Sequence, residues 1–438
     1  MLSSAVLRAA SSYTTTAACA ASSTALNSRS FAEQHLSFFH VDLPKVRQQF
    51  QRWKRALPQI RPHYAVKCNP DPIVLLTLYE QGAGFDCASV NEIQNVIRSC
   101  KHPRANSRMI DIRSDLDIRS DIIFANPMKA EYQLLTSAQL GVQKVTADSV
   151  QELRKIACLQ PNAEVFLRIL VDDKGSLCRL GVKFGANMDD VPELFREAQK
   201  LDLNMTGVSF HAGSGQQNAE AYACAISDAR AAFDIAADFG HEHSMRVLNI
   251  GGGFVDDDNF EYVADVIKSS INLHFHDDKM NFMAEPGRFM VSASHRLFTK
   301  VIGRKHNMLF VNDSIYGSFN SIMFDHQEHQ PEAYMRSDGS DIRLCGGRTG
   351  MKKDEPKAVS IWGQTCDGLD RITQVSQVGS ADVGDWLIWP SMGAYSAAAG
   401  STFNGFETPE IFYLDDEVVA VPGEGERMAP IRQEAAGM

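Results

Sequence analysis

The sequence predicts an α/β protein: a (β/α)8 barrel followed by a C-terminal all-β domain. Three observations carry this. From Arg61 onward, short β-rich runs alternate with helical stretches, as the βα units of a parallel sheet do. Eight such units fit into about 235 residues, the size of a closed eight-stranded barrel. Beyond Arg296 the helices stop, and Val-, Ile-, Trp- and Phe-rich runs follow one another across turn residues. A doubly wound open sheet competes for the first part until motifs are weighed.

Taken in order, residues 1–30 are rich in Ser, Ala and Thr, carry Arg8 and Arg29, and precede the first acid, Glu33. That composition fits a mitochondrial or plastid transit segment, and equally a disordered tail. Ser37–Val41 is strand-like. Asp42-x-Pro44 then opens an amphipathic helix through Val46, Phe50, Trp53 and Leu57. The barrel strands are predicted at His63–Cys68, Gly84–Ala88, Ile122–Asn126, Lys144–Asp148, Glu164–Ile169, Gly207–His211, Val247–Gly251 and Asn281–Glu285. Their helices are punctuated. Asp71-Pro72 is an N-cap with proline in the first turn, and Gly82 is its stop. Ser89-x-x-Glu92 is a capping box, and Ala219 to Phe239 repeats apolar residues at helical spacing. In the second part, Met308–Asn312, Ala358–Trp362 and Asp385–Trp389 read as strands.

The predicted division is 1–30 as the leading segment and 31–295 as the barrel with its N-terminal strand and helix. The β domain covers 296–425, and 426–438 form a tail. Two stretches break the pattern. Residues 101–121 contain a tandem echo, Asp111 to Asp115 then Asp117 to Asp121, and 336–355 are Gly-rich and charged without an apolar period. Both read as surface loops, or as translated intron sequence. The basic run Arg348 to Lys353 reads as solvated surface.

Composition narrows the function. The 438 residues hold 43 Lys+Arg against 54 Asp+Glu, a formal charge of −11. A phosphate-backbone binder needs a basic face, so no nucleic-acid partner is expected. No stretch approaches the ~18 apolar residues of a helical span, so no membrane partner is expected either. The nine cysteines are odd in number and contain no C-x-x-C, which reads as reduced thiols without a zinc site.

In a barrel the chemistry lies at the carboxyl ends of the strands. There the sequence places Lys67, Asp86, Asn126, Asp148, Arg168, His211, Gly251–Gly253 and Glu285. Each alone could be a turn-former, but together they converge on one rim. Lys67 is the one charge in an apolar strand, so a desolvated amine with a lowered pKa is expected, suited to attacking a carbonyl. A snorkelling lysine is the plain alternative. Gly251–Gly253 follow a strand and can admit a phosphate to backbone N–H groups, though a glycine triplet is as often a tight turn. Glu285-Pro286-Gly287-Arg288 ends the eighth strand, at the usual barrel phosphate position. The expectation is a phosphate on Gly251, Gly252, Gly253 and Arg288, a carboxylate beside it, and a lysine across the rim.

These segments resemble a known family. Tyr64-Ala-Val-Lys-Cys-Asn, Gly84-Phe-Asp-Cys-Ala-Ser, Val208-Ser-Phe-His-Ala-Gly-Ser-Gly, the glycine triplet and Ala284-Glu-Pro-Gly-Arg are similar to motifs of the pyridoxal-phosphate decarboxylases. That family has an alanine-racemase-like fold, the type III fold of pyridoxal-phosphate enzymes. Val311 to Asn320, Phe324-Asp-His, Trp362 to Asp370 and Met392 to Tyr395 narrow the resemblance to the eukaryotic-type ornithine decarboxylases, over about residues 35–415.

The resemblance implies pyridoxal 5′-phosphate held by Lys67 as an internal Schiff base, with decarboxylation through an external aldimine and a quinonoid. It implies Glu285 on the pyridine nitrogen and His211 stacked on the ring. Ser214, Gly253, Arg288 and Tyr395 would hold the phosphate, with Asp86 and Arg168 in support. Cys366 would be the proton donor, and Asp325 and Asp367, beside Phe324, would grip the distal ammonium of L-ornithine. Phe324 stands where many relatives carry Tyr. It further implies a homodimer with shared sites, putrescine formation for polyamine synthesis, and a cytoplasmic enzyme. Two other functions stay open: a decarboxylase for lysine or another basic amino acid, and a non-catalytic protein that binds a regulator.

Overall fold

The apolar runs and capped helices of the first part build a closed barrel in the computed structural model. It describes residues 36–101, 118–276, 279–337, 342–345, 358–378 and 380–415. The leading segment, residues 102–117, the basic run and the tail therefore lie outside the described residues.

Strand β1 (Phe38–Asp42) and helix α1 (Leu43–Ala56) come first. The barrel strands follow: β2 (Ile60–Ala65), β3 (Gly84–Cys87), β4 (Ile122–Phe124), β5 (Lys144–Ala147), β6 (Glu164–Arg168), β7 (Asn204–Ser209), β8 (Val247–Asn249) and β9 (Asn281–Ala284). All pair in parallel and β9 returns to β2. The register sets Ala65 beside Asp86, and Arg168 beside Ser209 beside Asn249, so the chemically capable ends share one rim.

The helix signals act as predicted. Asp42 accepts from the Lys45 N–H at 2.9 Å and starts α1, whose Val46, Phe50 and Trp53 are buried. Asp71 caps α2 (Pro72–Gln81) by accepting from the N–H groups of Ile73 and Val74, and Gly82 ends it at φ +106°, where a side chain would be strained. Ser89 accepts from Glu92 N–H at the start of α3 (Val90–Cys100), while the Glu92 carboxylate reaches back to the Ala88 N–H at 2.7 Å. Such caps are worth about 0.5–2 kcal/mol each.

Among the described residues the second part is a nine-stranded sheet made of β1 and eight further strands: β10 (His295–Lys305), β11 (Met308–Val311), β12 (Ala333–Met335), β13 (Ile342–Leu344), β14 (Val359–Trp362), β15 (Arg371–Ser376), β16 (Trp386–Trp389) and β17 (Glu410–Leu414). Two expectations are corrected here. β1, predicted as part of the barrel domain, pairs antiparallel with β10 and in parallel with β17. Its inward Phe38 stacks on Phe298 at 4.6 Å and meets Trp386 edge-on, so burial of an aromatic side chain assigns it to this sheet. Within 336–355, predicted as loop, residues 342–344 form β13, because their backbone completes a ladder with β12. No helix among the described residues is long and apolar enough to cross a membrane.

Candidate active site

Strand β2 ends at Ala65, earlier than predicted, and Lys67 sits in a 3-10 turn, Val66–Cys68. Its Nζ meets Asp86 Oδ2 at 2.9 Å; Asp86 is buried, while the lysine side chain keeps 42% of its surface. This overturns the expected pKa. Burial pulls the ammonium down, but Asp86, Tyr395 and Glu285 together outweigh it and hold Lys67 above its usual value. Asp86 Oδ1 is buried with no partner.

Glu285 lies one residue past β9. Burial, then repulsion from Asp86, raises its carboxyl to about 7, against the opposing pull of Lys67, Asn249 and Arg168. Asn249, fully buried at the end of β8, donates to Glu285 Oε1 at 2.6 Å and accepts from the Gly251 N–H at 3.0 Å. One amide thus fixes both the carboxylate and the glycine turn. Motif reading passed over Asn249, although its place just before the triplet was a visible signal.

The turn itself needs glycine. Gly251 has φ +64°, and a Cβ there would lie 2.0 Å from the Phe210 carbonyl oxygen; Gly253 has φ +107°. His211 Nδ1 accepts from the Gly213 N–H at 3.0 Å, which leaves the proton of the neutral ring on Nε2. Burial, Arg168 and Lys67 all hold its pKa well below the usual range, so it presents a neutral face. Arg168 closes the rim at the end of β6.

Arg288 opens the short helix Arg288–Val291 that follows these loops. Its Nη2 pairs with Asp325 Oδ2, its Nε is buried without a partner, and its guanidinium lies over the Tyr395 ring at 5.2 Å. Tyr395 is held at φ +57°, left-handed for an aromatic residue, by its N–H on the Cys68 carbonyl at 2.9 Å. Such a conformation costs about 1–3 kcal/mol and persists only where surroundings enforce it. The β domain is thereby stitched to the lysine turn.

The structure therefore gathers Lys67, Asp86, Arg168, His211, Gly251–Gly253, Glu285, Arg288, Tyr395 and Asp325 within one chain. Ser214 joins them by backbone pairing with Cys178. Pro286 and Gly287 link β9 to Arg288, with the Pro286 carbonyl accepting from Ala65 N–H at 3.2 Å. Three predicted residues stay apart. The Phe324 side chain is 73% exposed. Cys366 is exposed and Asp367 half-exposed on the loop between β14 and β15. No hydrogen bond or ion pair among the described residues ties either of them to the barrel rim. That loop is braced from within. Buried Asp370 accepts from Ile315 N–H, Thr365 N–H and the Thr365 hydroxyl, and Tyr316 donates to Asp367.

An unpartnered buried carboxylate oxygen, an unpartnered buried guanidinium nitrogen, a glycine cradle and an amine facing open space fit one kind of group, a phosphorylated pyridine aldehyde. No cluster suited to a metal occurs among the described residues. This arrangement suits a pyridoxal-phosphate enzyme of the type III fold.

Comparison with known proteins agrees. The family model for the pyridoxal binding domain of pyridoxal-dependent decarboxylases matches residues 43–292, and that for their C-terminal sheet domain matches 261–393. Ornithine decarboxylase of Neurospora crassa is 39% identical over 411 residues, covering 87% of this chain and 81% of that one. Antizyme inhibitor 2 of Xenopus laevis is 38% identical, covering 89% and 83%. The structure of Paramecium bursaria Chlorella virus arginine decarboxylase bound to agmatine superposes with a TM-score of 0.76 at 35% identity, covering 87% and 96%. The chain belongs to the pyridoxal-dependent ornithine/arginine/diaminopimelate decarboxylase family.

Proposed function

We propose that this enzyme is an L-ornithine decarboxylase, releasing CO2 and leaving putrescine. The observation that carries the substrate is Asp325. It is a carboxylate only 8% exposed at the rim, held by Arg288 and the Cys178 thiol, which supports reading it as the grip for a short primary ammonium. Asp367 on the β-domain loop supplies a second carboxylate, and two anions around one cation discriminate by chain length.

Pyridoxal phosphate, when bound, supplies the sink for the electron pair left as CO2 departs. Lys67 provides the amine that carries it, and Asp86 keeps that amine protonated and oriented at rest. Glu285, fixed by Asn249, sits where it can hold the proton of a pyridine nitrogen. Neutral His211 covers the ring face. Arg288 uses separate nitrogens for two tasks: Nη2 holds Asp325, while Nε remains free for a phosphate oxygen. Cys366 delivers the proton to the α-carbon. Because Cys366 and Asp367 are exposed in one chain, we place them in the site of a second copy, in a two-fold dimer. A purely regulator-binding role is opposed by the presence of Lys67, Arg288, Cys366 and the glycine triplet together.

The test is CO2 release from ornithine, lysine and arginine side by side. Ornithine is expected to exceed lysine in kcat/KM by about tenfold or more, one methylene being worth about 1–3 kcal/mol. Equal or better turnover of arginine or lysine overturns the ornithine assignment.

A further inference from the structure

Cys178 lies on the loop after β6, outside every motif used above. Its backbone forms an isolated antiparallel bridge with Ser214: Ser214 N–H to Cys178 carbonyl at 3.0 Å, and Cys178 N–H to Ser214 carbonyl at 3.2 Å. Its Sγ donates to Asp325 Oδ1 at 3.1 Å. The other oxygen of Asp325 belongs to Arg288. Asp325 is thus gripped from both sides, and among the described residues its side chain is tied to the β6 loop through the thiol of Cys178, whose backbone in turn pairs with Ser214 on the next loop. Asp325 itself caps a four-residue helix, Ser321–Phe324, where its N–H bonds the Ser321 carbonyl at 3.0 Å; this fixes its backbone, while the side-chain carboxylate is held by Arg288 and Cys178.

We propose that Cys178 is a positioning residue for substrate recognition: its thiol proton fixes the rotamer of Asp325 so that the carboxylate faces the distal ammonium of the substrate. The inference rests on the reading of Asp325 as that grip. A thiol is a weak donor, but a hydrogen bond to a charged acceptor at the site's rim restricts a side chain that would otherwise swing about Arg288. The proton stays in place across working pH, because burial and then Asp325 push the Cys178 thiol up to about 11. The same shift makes Cys178 a poor nucleophile.

The experiment compares Cys178→Ala and Cys178→Ser in the holoenzyme, alone and in an Asp325→Ala background, by steady-state kinetics on ornithine. Cys178→Ala is expected to raise KM about threefold to tenfold while kcat moves by less than about twofold. Cys178→Ser, whose hydroxyl donates the same bond, is expected to bring KM back to within about twofold of the parent. In the Asp325→Ala background the alanine change at 178 adds nothing further, since the pair no longer exists. Parent-like melting and cofactor absorbance in both variants exclude a folding defect as the cause. An unchanged KM in Cys178→Ala, an equal rise in the serine variant, or a full additive effect without Asp325 overturns the proposal. If Asp325→Ala alone leaves KM unchanged, the underlying reading of Asp325 falls as well. If Asp325→Ala raises KM and Cys178→Ala does not, only the role of Cys178 falls.

Discussion

On the barrel rim, Lys67, Asp86, Glu285 and Asn249 are locked by short contacts between neighbouring strands, and three of the four are at most 9% exposed. On the loop between β14 and β15, Asp367 accepts from Tyr316, the Cys366 N–H donates to Asn404, and Asp370 and Thr365 brace the turn, yet Cys366 is exposed and Asp367 half-exposed. On the proposed reading, the barrel part of the site is preorganised and inward, and the β-domain loop is a part presented to a second copy. Rigid loops that display a reactive thiol and a carboxylate to solvent make chemical sense when another surface arrives to use them. The difference between the halves is therefore between a pocket and a part offered to a pocket.

The largest expected effect removes the pocket's anchor. Lys67→Ala should lower kcat by about four orders of magnitude or more, measured as CO2 release from ornithine. Turnover near the parent rate would take Lys67 out of its role.

A second experiment breaks the comparison directly. Inactive Lys67→Ala and Cys366→Ala proteins, mixed until subunits exchange, should regain activity. About half the dimers become mixed, and each mixed dimer has one site free of both defects, so recovery approaches about a quarter of parent activity. No recovery, with exchange verified by a mass tag, would mean that both residues serve the same chain's site.

The smallest effect sharpens the electrostatics of the inward half. Glu285 is raised to about 7 in the folded protein, against 4.5 as its ordinary value. The folded chain then binds a proton that the unfolded chain has released, so stability falls as pH rises from the ordinary value through 7. Glu285→Gln removes that loss. Cofactor-stripped Glu285→Gln should melt about one to three degrees above stripped parent protein at pH 8, with the gap closing at pH 5. A gap that is constant with pH would mean that burial of this carboxyl is not what limits stability there.

Much of this was legible in the chain. All eight barrel strands announced themselves as short apolar runs, because parallel strands buried on both faces carry little else, and the caps at Asp42, Asp71 and Ser89 placed the helices. The glycine triplet and Glu285 were visible for the same local reason. What the chain concealed depends on distant neighbours. The pKa of Lys67 reverses direction because Asp86, 19 residues on, and Glu285 lie beside it, and no window around residue 67 contains both. β1 looked like a barrel appendage because its partners, β10 and β17, are far along the sequence. Cys178 carried no motif at all, since its partner Asp325 stands 147 residues away.

The parallel pairing of β1 with β17 has a consequence for how the protein is made. Among the described residues, the first strand to leave the ribosome is bonded to the last, through a register running from Phe38 beside Glu410 to Asp42 beside Leu414. At ordinary elongation speeds of about 5–20 residues per second, β1 waits on the order of tens of seconds for that neighbour. The barrel strands, each paired with the next in sequence apart from the closing β9–β2 contact, can assemble meanwhile. Phe38 meets Phe298 as soon as β10 follows the barrel, whereas its edge-on contact with Trp386 and the edge of β1 that pairs with β17 wait for later strands. Synthesis thus passes through a stage in which β1, already beside β10, keeps one edge open until Glu410–Leu414 arrives.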